Sequence, residues 1–169
     1  MGKHDEKPVI RDARPEDVPT LGAFKEGEVF HRDRLRDADG KTLRYLVAEL
    51  DGAVVGHGLL VFGQPPTWPK MKHLPQMIDL WIRPDLRSRG IGRAMIARME
   101  QLARKAGCSE MFLGVDPDNN PRALALYQRL GYVAIDAKPV EDRWEHIDSS
   151  GVRHGGVEWI IHMKKRFSL

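Results

Sequence analysis

The segment Arg87-Ser88-Arg89-Gly90-Ile91-Gly92 lies between an apolar run and an amphipathic helical pattern, and this junction constrains the fold more than any other stretch of the chain. Ile78-Asp79-Leu80-Trp81-Ile82 reads as a strand, and Pro84-Asp85-Leu86 carries the chain round a loop. From Gly90 onward, Ile91, Ala94, Met95, Met99, Leu102, Ala103 and Ala106 recur at helical spacing. Glycines let the backbone turn tightly and keep side chains off its N–H groups. The first N–H groups of a helix have no partner within it, and the helix dipole adds partial positive charge there. Arg87, Arg89 and Arg93 add full charges. Together these features make an anion site suited to a diphosphate.

Two common phosphate-binding motifs do not fit. Gly40-Lys41-Thr42 is a Gly-Lys-Thr triplet, but Leu35 stands where the first glycine of a P-loop belongs. The nearest approach to a dinucleotide fingerprint starts at Gly90 but has Met95 where glycine or alanine belongs. What does match is R-x-x-G-x-G over Arg87 to Gly92. Further along, Asn120-Pro121-Arg122-Ala123-Leu124-Ala125-Leu126-Tyr127 and then Leu130-Gly131-Tyr132 supply N-x-x-A-x-x-x-Y and G-[FY]. A helix and a strand (Met111 to Val115) separate the two motifs. On these motifs the chain resembles the GNAT superfamily of acyl-CoA-dependent N-acetyltransferases.

The resemblance implies a GNAT-like single domain over 1–169, an α/β (mixed α+β) fold with its cofactor-binding core at about 76–137. Its sheet would be central, mixed, mostly antiparallel and twisted, flanked by helices, with splayed central strands. Acetyl-CoA would be the acyl donor and coenzyme A the product. Leu80, Trp81 and Ile82 would meet the acetyl and pantetheine amides in the splay. Ser88, Gly90, Ile91 and Gly92 would hold the diphosphate through backbone N–H groups, with Arg87 and Arg89 at the rim. Arg93 stands where it reaches either phosphate or solvent. Tyr127, at core-like spacing from Ala123 and Leu130, would protonate the leaving thiolate. Asn120 suits both an N-cap before Pro121 and a contact to pantetheine.

The general base is less defined. Some family members carry a glutamate on the strand before the Asn motif, but the aligned residue here is Gly114. Asp79 is the best local candidate, directly or through water; the alternative is a solvent-facing or substrate-binding carboxylate. Asp116 and Glu158 rank behind it. The regions that contact acceptors in the family offer Glu26, Glu28, Asp33, Trp68, Trp81 and Trp144, and acids with aromatics suit a cationic amine. The expected acceptor is a small-molecule or peptide amine, attacking directly in a ternary complex. A non-catalytic acyl-CoA-binding regulatory module is the alternative.

A chain of 169 residues forms one domain with a proper core. Its net charge of +3 is too slight for a nucleic-acid binder but suits an anionic cofactor. No apolar run is long enough to span a membrane, and the polar N-terminus lacks a signal-peptide pattern, so a cytoplasmic location is expected. Cys108 alone makes neither a disulfide nor a zinc cluster, and the seven histidines lack metal spacing. Sheet edges and the C-terminal strand are where two copies would pair as a homodimer.

The remaining pattern gives a strand at Val9–Ala13, helical segments from Arg14 to Asp37, and strands at Leu43–Leu50 and Ala53–Phe62 around Asp51-Gly52. Gln64–Pro75 reads as loop, and Gln76–Ile82 as the central strand. Short strands follow at Met111–Val115 and Tyr132–Ala137. Lys138–Gly156 reads as irregular and polar, and Gly156–Met163 as the last strand.

Overall fold

Asp51 and Gly52 both adopt left-handed backbone, which matches the twist of the strands they join. They connect β2 (Leu43–Leu50) to β3 (Ala53–Val61) in an antiparallel hairpin. β1 (Val9–Asp12) pairs along the outer side of β2. This arrangement is seen in a computed structural model, which describes residues 6–63 and 74–168. Between β1 and β2 the chain makes a short 3-10 turn (Pro15–Asp17), α1 (Val18–Phe24) and α2 (Gly27–Asp37). The loop expected at Gln64–Pro75 falls largely outside the described residues, as does Trp68.

β4 (Gln76–Ile82) pairs antiparallel with β3. α3 (Ile91–Lys105) buries Ile91, Met95, Ile96, Met99, Leu102 and Ala103 along one stripe. Each of these isoleucine, leucine and methionine side chains contributes about 1.5–3 kcal/mol of burial free energy. Gly107 ends the helix in left-handed backbone. Its N–H donates to the Arg104 carbonyl, and the Cys108 N–H donates to that of Ala103, the paired bonds of a Schellman cap. β5 (Glu110–Val115) follows, then α4 (Pro121–Arg129), β6 (Val133–Ala134), β7 (Val140–Ile147) and β8 (Arg153–Arg166). The main sheet runs β1-β2-β3-β4-β5-β8-β6, and β4–β5 is its parallel pair.

Helices flank both faces of the sheet. On one side Met95, Ile96 and Met99 of α3 pack with Leu60, Met77, Leu113, Val115 and Met163. On the other, Leu21 of α1 packs with Tyr45, Val47 and Leu59. The mixed, mostly antiparallel sheet of the sequence reading is therefore present.

One segment differs from the sequence pattern. Lys138–Gly156 is largely a strand and a tight turn: β7 pairs with the first half of β8 from Val140↔Ile160 to Ile147↔Arg153. The pattern missed it because the half-buried face of β7 carries Asp142 and His146 beside Val140, while Ile147 lies on the exposed face, so apolar and polar residues do not alternate. The last strand is longer than expected, and the strand expected at Tyr132–Ala137 shortens to β6.

Candidate active site

β4 carries an irregularity at its centre. Ile78 pairs with Leu59 and Trp81 with His57, so β4 uses one more residue than β3 across the same interval. This is a β-bulge, and Asp79 takes it up in left-handed backbone (φ 52°). Aspartate tolerates that conformation better than most residues. β4 also pairs with β5 at only Gln76↔Phe112 and Met77↔Leu113. Beyond Met77 the two strands part, as the splay expectation required.

A cavity of about 740 Å³ opens at this gap. Leu80, Trp81 and Ile82 line it from β4, with Ser88, Gly90, Ile91 and Gly92 from the loop and the start of α3. Asn120, Ala123, Leu126 and Tyr127 close it from α4. The sequence motifs, separated in the chain, thus meet around one space.

The loop is shaped by two left-handed residues, Ser88 (φ 63°) and Gly90 (φ 81°). Such alternation turns successive N–H groups toward a common point and forms an anion nest. Arg87 also lines the cavity, but its Nε donates to the Ile82 carbonyl at 2.9 Å and ties the loop to the end of β4. Arg89 is not among the cavity-lining residues, whereas Arg93 is. Arg122 was missed by the sequence reading; it lines the cavity and donates to the Ser88 hydroxyl. A signal was available. Arg93 and Arg122 each sit in the first turn of a helix, where the dipole disfavours a cation unless an anion is bound there.

Tyr127 is almost fully buried, and burial pushes its phenol up to about 12. It is therefore a protonated donor on the cavity wall at neutral pH. Its ring meets that of Tyr132 edge-on at 6.1 Å. Asn120 occupies the N-cap position of α4, but its side chain makes no capping hydrogen bond.

The opposite face of β4 looks toward α1 and α2. There the Asp79 carboxylate pairs with Lys25 and accepts from Arg34 Nη1 at 2.6 Å. Burial raises its pKa, but the Arg34 and Lys25 charges and the Lys25 hydrogen bond outweigh burial and leave it below the usual carboxylate range. His57 Nδ1 lies 4.0 Å from Asp79, and its ring stacks on Trp81 at 5.8 Å. Burial drives the His57 imidazole down to about 3, so it is neutral. Nearby, His31 Nε2 donates to the Lys25 carbonyl at 2.9 Å, which leaves Nδ1 to accept from the Tyr45 hydroxyl.

Position 114 cannot take the glutamate missing from the pattern without rearrangement. A Cβ at Gly114 would lie 2.7 Å from Ile160 Cδ1. Two residues from Ile160 on the same face of β8, Glu158 stands directly across from Asp142. The residue is exposed, but partial desolvation of its carboxyl and the neighbouring charges of Asp142, Asp116 and Asp79 raise its pKa. Of the other acids, Glu26 and Asp33 are engaged by the β7–β8 hairpin, through His154 and Ser149 respectively. Glu28 pairs with Arg32 in solvent. Trp144 lies over Gly156 on the Glu158 face of the ribbon. Among the described residues no cluster of His, Cys, Asp and Glu has a metal-binding arrangement, and no helix is long and apolar enough to cross a membrane.

Comparison with known proteins agrees with this geometry. The model of the acetyltransferase (GNAT) family matches residues 9–132. Thialysine N-epsilon-acetyltransferase of Bos taurus is 37% identical over 105 residues, covering 56% of this chain and 59% of that protein. The chain therefore aligns with less than two thirds of the bovine relative. Acetyltransferase ECA0875 of Pectobacterium atrosepticum is 31% identical over 104 residues, 59% of this chain and 67% of that protein. The solved structure of yncA, described as a putative acetyltransferase from Salmonella typhimurium with its cofactor acetyl-CoA, superposes with a TM-score of 0.69. It covers 97% of this chain and 96% of its own at 16% identity, a likeness of fold. The family match spans most of the chain, from the first strand through both motifs, and the chain belongs to the acetyltransferase (GNAT) family.

Proposed function

We propose that this protein transfers an acetyl group from acetyl-CoA to the primary amine of a small cationic molecule or peptide, by direct attack in a ternary complex. The observation that carries the reading is the β4–β5 gap, bounded by the α3 N-terminus, the α4 N-terminus and the buried phenol of Tyr127. The residues fit the donor. Gly92 lines the cavity and a Cβ there would meet nothing closer than 3.8 Å, so the backbone is open to approach. Arg93 and Arg122 supply positive charge beside the nest. When bound, acetyl-CoA supplies a thioester-activated acetyl group.

The chain's own residues account for the other requirements. Backbone groups of Leu80 to Ile82, left without a β5 partner, pair with the amides of the donor's arm and orient its carbonyl. Tyr127 gives its proton to the departing sulfur. An amine near pKa 10 must lose its proton at neutral pH, at a cost of about 4 kcal/mol. Asp79, held by Lys25 and Arg34, is a poor base; its role in this reading is to anchor the bulge. Glu158, a carboxylate with raised pKa on the acceptor face, takes the proton directly or through water. The acidic face of β7–β8 and the lysine-like substrate in the bovine relative's name together favour a cationic acceptor.

Purified protein, acetyl-CoA and thialysine or a panel of primary amines should release free thiol in step with acetylated amine. Tight acetyl-CoA binding with no turnover on any amine would favour the non-catalytic module. Replacing Gly90 by Val forces a β-branched residue to φ 81°. Strain of about 1–3 kcal/mol should weaken acetyl-CoA binding roughly five- to hundredfold by calorimetry.

A further inference from the structure

The turn between β7 and β8 is fastened to α2 by side chains that the proposed chemistry does not use. Asp33 of α2 accepts from the Ser149 N–H and from its hydroxyl, both at 2.7 Å. His154 makes the second fastening. Its Nδ1 lies 2.7 Å from Glu26 Oε2, at the N-cap of α2, and its Nε2 lies 2.8 Å from Asp148 Oδ2 in the turn. Ionised carboxylates only accept hydrogen bonds, so both ring nitrogens must donate, and only the imidazolium does so. The Asp148 carboxylate is itself fixed by the Ser150 and Val152 N–H groups and the Ser150 hydroxyl. The Phe30 ring of α2 packs on His154 at 4.8 Å and on His146 at 5.5 Å.

This fastening controls where the acceptor wall stands. His154, Gly156, Glu158 and their partners His146, Trp144 and Asp142 share one face of the ribbon, the face that meets α2. We propose that the protonated His154 is a positioning residue: by bridging Glu26 and Asp148 it holds the β7–β8 hairpin against α2 and sets Glu158 and Trp144 facing the acceptor. The hairpin's role as acceptor wall rests on the function proposed above; the bridge itself does not.

The charged groups around the ring are few. Glu26 faces it from the start of α2 and Asp148 from the turn, while His146 lies across the ladder with ring centroids 6.3 Å apart. Arg34 stacks on Phe30 at 4.4 Å. Arg153, next in chain, is paired with Glu145. Hydrogen bonds to Asp148 and Glu26 raise the His154 pKa above its ordinary value. The bridge is complete below the ordinary histidine pKa and is lost as pH rises through the raised one.

Hydrogen–deuterium exchange of residues 140–160, corrected for intrinsic rates, tests this at about pH 6 and about pH 9. The wild-type hairpin should lose protection at the higher pH, about tenfold for each unit by which folding raises the imidazole. His154→Ala should show low protection at both, and His154→Arg, which keeps charged donors, high protection at both. His146→Gln should keep the wild-type response. In turnover assays with thialysine, His154→Ala should lower kcat as well as raise the acceptor KM, and His154→Arg should restore both. Protection in the wild type that ignores pH would overturn the proposal, as would a pH response that survives in His154→Arg. Exchange is read without turnover, so a chain that transfers no acetyl group still reports on the bridge.

Discussion

Replacing Tyr127 by Phe is expected to lower kcat roughly 10²–10⁴-fold, the usual worth of a positioned general acid. Acetyl-CoA affinity should stay nearly unchanged, because the ring, its burial and its edge-on contact with Tyr132 are all kept. Burial lifts the phenol to about 12, so it carries its proton throughout the neutral range, and it faces the cavity between β4 and α4. A thiolate leaving into that cavity meets the phenol on its α4 wall. The measurement is steady-state thiol release beside calorimetric binding of acetyl-CoA. Wild-type turnover in Tyr127→Phe would remove this residue as the acid.

The second large effect is expected at Glu158. Glu158 is exposed as a residue, but partial desolvation of its carboxyl and the nearby Asp142, Asp116 and Asp79 oppose a further negative charge and raise its pKa. A base acts only when ionised, so its contribution is present above that raised pKa and fades as pH falls through it. Glu158→Gln should therefore cost roughly 10²–10⁴-fold in kcat and change the acid limb of the kcat–pH profile. Glutamine keeps the shape and removes the like-charge repulsion against Asp142, so stability should not fall, as a denaturant titration would show. An acid limb unchanged in Glu158→Gln would return the role to water.

The sequence was most legible where local chemistry and periodicity agree. Asp51-Gly52 between two apolar runs marked the hairpin, and the apolar stripe ending at Gly107 marked α3. Both motifs met at the cavity because each combines a helix start with residues that need no distant partner to be recognised. The reading failed where partners are far apart in the chain. Asp79 looked like a free carboxylate because Lys25 and Arg34 come from other elements. Glu26 and Asp33 looked like acceptor ligands, but they bind a hairpin that was itself unseen. That hairpin lacks apolar alternation because its half-buried face carries Asp142 and His146 and its exposed face carries Ile147. Arg122 carried a readable signal, a cation in a first helical turn, that passed unused.

The central claim is that one ligand lies across the β4–β5 gap and touches both motifs. Hydrogen–deuterium exchange with and without acetyl-CoA tests it most directly. New protection should concentrate in two separate segments, Leu80 to Arg93 and Asn120 to Leu130, and should be much reduced in Gly90→Val at the same acetyl-CoA concentration. Saturating acetyl-CoA that leaves these segments unprotected, or protects a different surface, would contradict the account.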